Sequence, residues 1–363
     1  MLKQFLLLTV IMLCFHNAEA QLAPGFDKAE YIELMKVSAR TSAEENYYKK
    51  IAEPQRFKML YQSPVIGLEN LWDLWNDGKG TAVLSIRGTT TNATSWLANF
   101  YAAMVPAKGQ LQLSTNDVFE YELASNPKAA VHVGWLVSTA FITRDMMPKI
   151  DSTYKSGTKN MIVVGHSQGG GIAYLVTAYL YNLQKTGKLP ADIRFKTYCS
   201  AGPKPGNLYF AHEYEAMTQN GWSYNVVNAA DWVPEVPISI QTLSDFNLSN
   251  PFIHAKGIIK KQKFPTSLAL KYMYNQLSKP PSKAQKRYQK YLGSMTSKTV
   301  QKTLPGFVPP AYYASNHYVR TGNMIVLLPD VDYFKLYPES QSADNMFPHH
   351  LHPQYMYLAE KLK

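Results

Sequence analysis

Apolar residues recur at strand-like and helix-like intervals in turn through most of this sequence. Short apolar runs predict strands at residues 81–87, 160–165, 193–199, 222–228 and 322–328. Helical spacing predicts helices at about 27–53, 131–150, 212–218 and 354–361. A further helix is predicted to follow the strand at 160–165 and to end near residue 187. Strands that alternate with helices indicate an α/β protein with a mostly parallel, doubly wound sheet.

Three stretches interrupt this alternation. Residues 95–106 are apolar and aromatic, and they predict either a buried helix or a mobile lid over a site. Residues 107–130 are interpreted as loops. Residues 240–315 contain Lys, Tyr, Ser and Pro without clear strand signals, and are interpreted as an insertion or cap with helices at 269–277 and 283–292.

The first twenty residues have the composition of an export signal. A lysine precedes an apolar run at 5–15 that is too short to cross a membrane, and an A-x-A cleavage sequence ends at Ala20. A membrane anchor and a lipid-modified Cys14 are the alternatives, but polar residues follow the run and bulky residues precede the cysteine. We expect an exported protein, periplasmic or secreted, whose residues 21–363 form one domain.

The length of the chain and its cysteine content narrow the class of protein further. The chain has 363 residues, 46% of them hydrophobic, which predicts a well-packed globular protein. Loss of residues 1–20 leaves Cys199 as the single cysteine, so we expect it in the core and no internal disulfide. No Cys/His spacing indicates zinc, and we expect neither a metal nor a cofactor.

Positive charge is concentrated in one stretch. The formal net charge is +11, and residues 246–329 contain thirteen Lys or Arg but no Asp or Glu. Two interpretations remain open: a solvated charged face, or attachment to an anionic membrane or lipid surface. The sequence has no recognised nucleic-acid-binding motif, and export argues against such a partner.

Residues 160–174 carry the most informative motif. An apolar strand runs into Gly-His-Ser-Gln-Gly at 165–169 and then into a helix. Gly-x-Ser-x-Gly between a strand and a helix is typical of a nucleophile elbow, a tight turn that projects the serine hydroxyl above the sheet. The alternative is a glycine-rich turn with a chance serine. We favour Ser167 as a nucleophile.

A serine nucleophile requires a carboxylate-oriented base, and in one common arrangement both follow it in the order acid, then histidine. The preferred acid is Asp231, which follows a predicted strand and precedes a Pro-containing loop. A simple turn aspartate is the alternative at that position. The runners-up are Asp245, Asp330 and Asp332.

The base is expected among late histidines. His349, His350 and His352 cluster before the last predicted helix, and spacing alone does not separate them. We favour His350, with His352 as the alternative. A metal site is a further interpretation of the cluster, but no partner spacing supports it. Less suitable by order or position are His132, His254 and His317.

Backbone N–H donors are needed to stabilise the oxyanion of an acyl-transfer reaction. One is expected from Gln168, the residue after the nucleophile. The other is expected from the loop after an early strand, where Thr89 is the candidate and its hydroxyl can contribute.

Several separate motifs together resemble the class 3 lipases, the family of fungal triacylglycerol lipases and their bacterial relatives. The resemblance covers residues 81–237 and resumes from about 318. Its motifs are Ser-Ile-Arg-Gly-Thr at 85–89, Trp-Leu-Ala-Asn at 96–99, Val-His-Val-Gly-Trp at 131–135, the elbow, Ala-Gly-Pro-Lys-Pro-Gly-Asn at 201–207, and Val-Val-Asn-x-x-Asp-x-Val-Pro at 226–234.

This resemblance implies an α/β-hydrolase fold and a Ser–Asp–His triad. It also implies that Thr89 and Gln168 form the oxyanion hole and that residues 96–100 belong to a lid. There are departures: Gln168 replaces the usual Leu, the stretch at 240–315 lengthens the gap before the histidines, and the disulfides of fungal relatives are absent. We interpret the chain as a bacterial-type member.

The expected function is that of an exported serine hydrolase acting on lipid esters, a triacylglycerol lipase or esterase that proceeds through an acyl-enzyme. A phospholipase, another esterase or a thioesterase on the same fold is the alternative. A non-catalytic binding protein on a hydrolase scaffold is the third interpretation, weakened because all the required residue types are present.

Overall fold

A computed structural model describes residues 22–42 and 44–363 of the chain. The expected export signal at residues 1–20, together with Cys14, lies outside the described residues. In chain order the strands are β1 (Lys58–Gln62), β2 (Trp72–Asn76), β3 (Thr81–Ile86), β4 (Met104–Pro106), β5 (Lys108–Ser114), β6 (Asp117–Glu122), β7 (Ala130–His132), β8 (Asn160–His166), β9 (Arg194–Ser200), β10 (Gly206–Asn207), β11 (Ser223–Asn228), β12 (Tyr318–Val319) and β13 (Asn323–Leu327).

Helices surround the strands. They are α1 (Lys28–Thr41), α2 (Glu45–Tyr48), α3 (Ala93–Phe100), α4 (Val133–Lys155), α5 (Gln168–Lys185), α6 (Leu208–Met217), α7 (Ala255–Lys260), α8 (Thr266–Gln289), α9 (Thr296–Thr303), α10 (Val331–Leu336) and α11 (His352–Glu360). Within the described ranges, no helix has both the length and the continuous apolar character needed to cross a membrane.

The main sheet has the strand order β1-β2-β3-β8-β9-β11-β13. Within this sheet, β3, β8, β9, β11 and β13 pair in parallel, and β1 and β2 add an antiparallel edge. Every residue of β8 is buried, as expected for a central strand covered on both faces. The predicted fold class, an α/β-hydrolase with a mostly parallel doubly wound sheet, is confirmed.

Two apolar layers cover this sheet. Along β8, Met161 and Val163 face one layer with α4 and α5, whereas Ile162 and Val164 face the other with α1 and α11. The alternation follows from the two-residue period of a strand. Cys199 at the end of β9 is buried and free, in keeping with the expected core position.

The interpretation of residues 107–130 as loops was wrong. Strands β5 and β6 form an antiparallel hairpin across this stretch. Leu111, Leu113, Phe119 and Tyr121 alternate with exposed residues and pack on the main core. This alternation of apolar and polar positions is the sequence signal for a half-buried hairpin.

Three predicted helices also need correction. The single helix expected at about 27–53 ends at Thr41, where the hydroxyl of Ser42 bonds the carbonyl of Ala39, and only the short α2 follows. The two helices expected at 269–277 and 283–292 are one helix, α8, which passes through the Pro280–Pro281 pair. Pro280 is exposed, so water can solvate the carbonyl group that the proline leaves without a donor.

Gly165 allows α5 to begin directly above the end of β8. A Cβ at Gly165 would lie 2.2 Å from the carbonyl carbon of Gly169. We expect Gly165→Ala to lower the free energy of unfolding by about 3 kcal/mol, because the helix start must shift away from the sheet. Urea denaturation measures this loss.

The matched control is Gly257→Ala in α7, where nothing lies within 4 Å of the new Cβ. This variant should keep or slightly raise the stability, since alanine favours helix more than glycine does. Equal stability of Gly165→Ala and wild type would contradict the close approach.

Candidate active site

Ser167 stands in a strained turn between β8 and α5. Its φ of 61° and ψ of −131° lie in a region that side-chain-bearing residues rarely adopt. The backbone N–H of Ser167 donates to the carbonyl of Ser200 at 3.0 Å. Gly169 lets α5 approach β3, since a Cβ there would lie 2.2 Å from the carbonyl oxygen of Ile86. These contacts hold the serine hydroxyl outside the sheet and the helix.

A continuous hydrogen-bonded chain joins Ser167, His350 and Asp231. His350 Nδ1 donates to Asp231 Oδ2 at 2.7 Å, and Ser167 Oγ donates to His350 Nε2 at 2.8 Å. The carboxylate fixes the tautomer, because Nδ1 must carry the proton and Nε2 is then left to accept. The arrangement can remove the serine proton during a nucleophilic attack.

Asp231 is itself held by two donors. Tyr355 donates its hydroxyl to Asp231 Oδ2 at 2.7 Å, and the Val233 N–H donates to Oδ1 at 3.0 Å. Burial, and next the negative charge of Asp231, raise the pKa of Tyr355 well above its ordinary value, so the phenol stays protonated.

The neighbouring histidines face other partners. His349 Nδ1 contacts the hydroxyl of Tyr333 at 3.0 Å. His352 Nδ1 and Nε2 contact the hydroxyls of Tyr47 at 2.8 Å and Ser38 at 3.1 Å. Of the three clustered histidines, His350 is therefore the one whose ring contacts Ser167.

The runner-up carboxylates also have local partners. Asp245 accepts from the Thr242 backbone and from the hydroxyl of Ser315, Asp330 caps α10, and Asp332 pairs with Lys335. Each of these three carboxylates therefore has bonding partners other than the ring of His350.

The three histidines judged less suitable as the base have other surroundings. His132 caps α4, His254 ends an exposed 3-10 turn, and His317 is half-buried. Within the described part of the chain, no three or more His, Cys, Asp or Glu side chains are grouped so that they could hold a metal ion.

His166, the residue before the serine, contributes a contact that sequence reasoning missed. Its Nε2 donates to the carbonyl of His350 at 2.6 Å, and its Nδ1 accepts from Ser200 Oγ at 3.0 Å. Ser200 accepts in turn from the hydroxyl of Tyr31 at 2.7 Å. Burial is the main cause that lowers the pKa of His166 well below its ordinary value, so the ring stays neutral with one donor. The ring therefore anchors the backbone of His350.

Thr89 and Gln168 stand beside Ser167 as expected. Gln168 is the first residue of α5, where backbone N–H groups have no partner within the helix. Thr89 Oγ1 accepts from Asn99 Nδ2 at 2.9 Å, which leaves its hydroxyl hydrogen available to a ligand. Two N–H groups and this hydroxyl match the chemistry of an oxyanion site.

Gln168 also has a contact that explains its side chain. Its Nε2 donates to the carbonyl of Ser95 at 3.1 Å, and Ser95 Oγ donates to its Oε1 at 3.4 Å. The glutamine thereby connects the elbow to α3. A leucine, usual at this position in the family that the sequence resembles, cannot form these bonds.

Two cavities meet at Ser167. The tryptophan-lined cavity, of about 240 Å³, is bordered by Trp96, Trp135 and Trp232. The histidine-lined cavity, of about 200 Å³, is bordered by the rings of His166, His350 and His352. Both are bordered by Thr89, Trp96, Ser167 and Phe347.

The stretch at 95–106 forms most of α3 and then β4. Ala98 and Tyr101 are buried, whereas Trp96 lines both cavities and Phe100 is 55% exposed. Trp96 lies 6.3 Å from Phe347, ring centre to ring centre. The segment thus combines a packed side with an aromatic side that faces the cavities.

Residues 83–240 match the family model described as Lipase (class 3). The resemblance to class 3 lipases is therefore confirmed for this segment. It includes Ser167, Asp231, Thr89 and Gln168, whereas His350 lies beyond it.

One curated relative is the secreted mono- and diacylglycerol lipase 1 of Fusarium solani, 29% identical over 156 residues, which are 43% of this chain. The matched part spans 39% of that relative, about two fifths of its length. The expectation of a bacterial-type member finds no support in this match, since the relative is a fungal protein.

Solved structures of fungal lipases are also similar. Lipase II from Rhizopus niveus is 21% identical and covers 58% of this chain and 74% of its own, with a TM-score of 0.43. The triacylglyceride lipase of Rhizomucor miehei is 18% identical and covers 59% and 77%, with a TM-score of 0.44. Similarity at this level carries no inference about activity.

Three buried histidines make the stability depend on pH. Burial lowers the pKa of His132 and His352 to about 3, and that of His166 well below its ordinary value. In the unfolded chain each takes up a proton at about pH 6.5. The unfolded state therefore binds more protons below that pH, and the contribution of each buried histidine, complete above pH 6.5, falls as the pH drops toward the folded pKa.

We expect each histidine to lower the free energy of unfolding by about 1.4 kcal/mol per pH unit between roughly pH 6 and 4. Urea denaturation across this range measures the slope. In His352→Gln the slope should decrease by one histidine's contribution. An unchanged slope in that variant would show that His352 is not neutral in the folded state.

Proposed function

We propose that the protein is an exported serine hydrolase that cleaves carboxylic ester bonds of lipids, as a triacylglycerol lipase or esterase. The hydrogen-bonded chain from Ser167 through His350 to Asp231, next to an apolar cavity, is the observation that carries this proposal. The class 3 lipase match over residues 83–240 supports it. The name of the Fusarium solani relative supports the secreted character.

The proposed reaction begins with attack of Ser167 Oγ on the ester carbonyl carbon. His350 Nε2 takes the serine proton, and Asp231 stabilises the imidazolium that forms. The N–H groups of Thr89 and Gln168 bind the oxyanion of the tetrahedral intermediate. His350 then donates the proton to the leaving alcohol, and an acyl-enzyme remains. Water, deprotonated by the same histidine, releases the fatty acid and restores Ser167.

The two cavities suggest where the acyl part and the alcohol part of an ester substrate would lie when its carbonyl group is at Ser167. The tryptophan-lined cavity, with Val233, Val236 and Leu292 along its wall, suits an acyl chain. The histidine-lined cavity contains the more polar Ser38, Ser42 and Arg87, which suits the alcohol part. A phospholipase, another esterase or a thioesterase would use the same chemistry with a different alcohol or thiol.

Labelling with a fluorophosphonate probe tests the nucleophile and the base together. We expect wild type to label and Ser167→Ala to remain unlabelled. In His350→Ala the labelling rate should fall about 10²–10⁴-fold, because the serine loses its general base. Gel fluorescence over time measures these rates.

His349→Ala and His352→Ala are the matched controls and should label much closer to the wild-type rate. Near-UV circular dichroism verifies that each variant is folded. Equal labelling of His350→Ala and wild type would exclude His350 as the base. An unlabelled, folded wild type would favour a non-catalytic binding protein.

Filling the tryptophan-lined cavity tests its role in acyl-chain binding. Leu292→Trp should lower kcat/KM for a long-chain ester about 10-fold or more relative to an acetate ester, because the longer chain needs the lost volume. Leu328→Trp, at a position 74% exposed, is the control and should leave the ratio unchanged. A panel of emulsified glycerides, phospholipids and soluble esters measures the ratio and identifies the alcohol class. An equal loss for both esters would contradict acyl binding in this cavity.

A further inference from the structure

A basic groove lies on the surface of the segment that has no acidic residue. It encloses about 600 Å³ between α8 and residues 242–244, and no Asp or Glu lines it. Its basic residues are Lys256, Lys279, Lys283, Lys286, Arg287 and Lys290.

All six of these side chains lie on exposed residues, and none takes part in an ion pair recorded for residues 22–42 and 44–363. Like charges this close repel one another, and an anion placed among them relieves that repulsion. The groove therefore favours a ligand of high negative charge density.

Neutral donors stand among these cations. Ser244, Asn275, Ser278 and Ser282 line the groove together with the Tyr274 ring. Hydroxyl and amide groups beside Lys and Arg provide the donors that phosphate oxygens accept. The lining thus fits a phosphate group better than it fits a carboxylate, which offers fewer acceptors.

Apolar side chains are exposed on the same helix or directly before it. Phe264, directly before α8, is 81% exposed. Leu268 and Tyr272 are 60% and 64% exposed, and their helical spacing places them on the same side of α8 as Lys279, Lys283 and Lys286. Apolar side chains beside a basic surface are typical of helices that lie in a membrane interface. A soluble phosphate compound would meet the charges of the groove but would leave these side chains in water.

We propose that the basic groove binds the phosphate groups of anionic phospholipids at a membrane surface, while the exposed apolar side chains of α8 enter the interface. This inference rests on the proposed function for its setting, because a lipid-ester hydrolase finds its substrate at such a surface. The groove is separate from the Ser167 site.

The groove is joined to the Ser167 site through one helical segment. Helix α8 continues into Tyr288, and the π-helical turn Lys290–Met295 contains Leu292; both residues line the tryptophan-lined cavity. Lys279 and Tyr288 are separated by about 14 Å along the helix. The groove residues Arg287 and Lys290 lie on either side of Tyr288 in this segment, so a phospholipid surface bound at the groove lies near the cavity wall.

Co-sedimentation with vesicles of uncleavable, ether-linked lipids tests the groove without any hydrolysis. Wild type should bind vesicles that contain about equal amounts of phosphatidylcholine and phosphatidylglycerol much more strongly than phosphatidylcholine alone, and added salt should weaken this binding. In the triple variant Lys279→Gln, Lys283→Gln, Lys286→Gln the binding constant should fall roughly 100-fold.

The control triple variant is Lys79→Gln, Lys185→Gln, Lys188→Gln, which removes the same charge from exposed positions outside the groove. It should bind within a few-fold of wild type, and thermal unfolding verifies that both variants fold. Equal binding of the groove variant and wild type, or an equal loss in the control, would overturn the proposal.

A second pair of measurements separates a lipid surface from a soluble phosphate compound. Leu268→Ser with Tyr272→Ser should weaken vesicle binding by a further factor of about 10 or more, because two apolar side chains on the side of the basic residues no longer enter the interface. Unchanged binding of this variant, together with release of wild type by millimolar glycerol phosphate, would show a small-anion site and overturn the assignment to a lipid surface.

Discussion

The close approach of α5 to the ends of β8 and β3 is the constraint on which the site depends. Gly165 and Gly169 permit it, since a Cβ at either position would lie 2.2 Å from backbone atoms. The approach leaves Ser167 in a strained conformation with its hydroxyl free. It also points the N–H groups at the start of α5 toward the same space, so the proposed nucleophile and one of the two proposed oxyanion donors, the N–H of Gln168, arise from one turn.

The position of His350 depends on contacts from outside its own segment. The loop before α11 has little regular structure, and side chains from elsewhere bind its carbonyl groups. His166 donates to the carbonyl of His350, and Asn228 donates to that of His349. Trp232 donates to the carbonyl of Met346. The ring of His350 is thus directed by β8, β11 and the turn after β11, which also supplies the carboxylate of Asp231.

This dependence explains what the sequence could and could not predict. The strands β3, β8, β9, β11 and β13 have short apolar runs and the elbow has a glycine motif, so the bounds of these five strands were predicted to within one residue. The other strands of the described residues were not predicted. The choice among three neighbouring histidines was open because the loop has no period, and its orientation comes from distant donors. The contact between His166 and the carbonyl of His350 was missed for the same reason, because no local sequence pattern records it. The β5–β6 hairpin, in contrast, was predictable, since its alternation is present in the sequence.

Helix α3 connects features that the sequence presents as unrelated. At its start, Ser95 bonds Gln168 of the elbow. Just beyond its end, the N–H groups of Ala102 and Ala103 donate to the carbonyl of Leu292. Trp96 lies between these two anchors and lines both cavities. A displacement of α3 would have to break the glutamine contacts or move the segment that carries the basic groove. Through its bonds to Ser95, Gln168 therefore connects the elbow to a helix whose following residues are bonded to the segment that carries the basic groove.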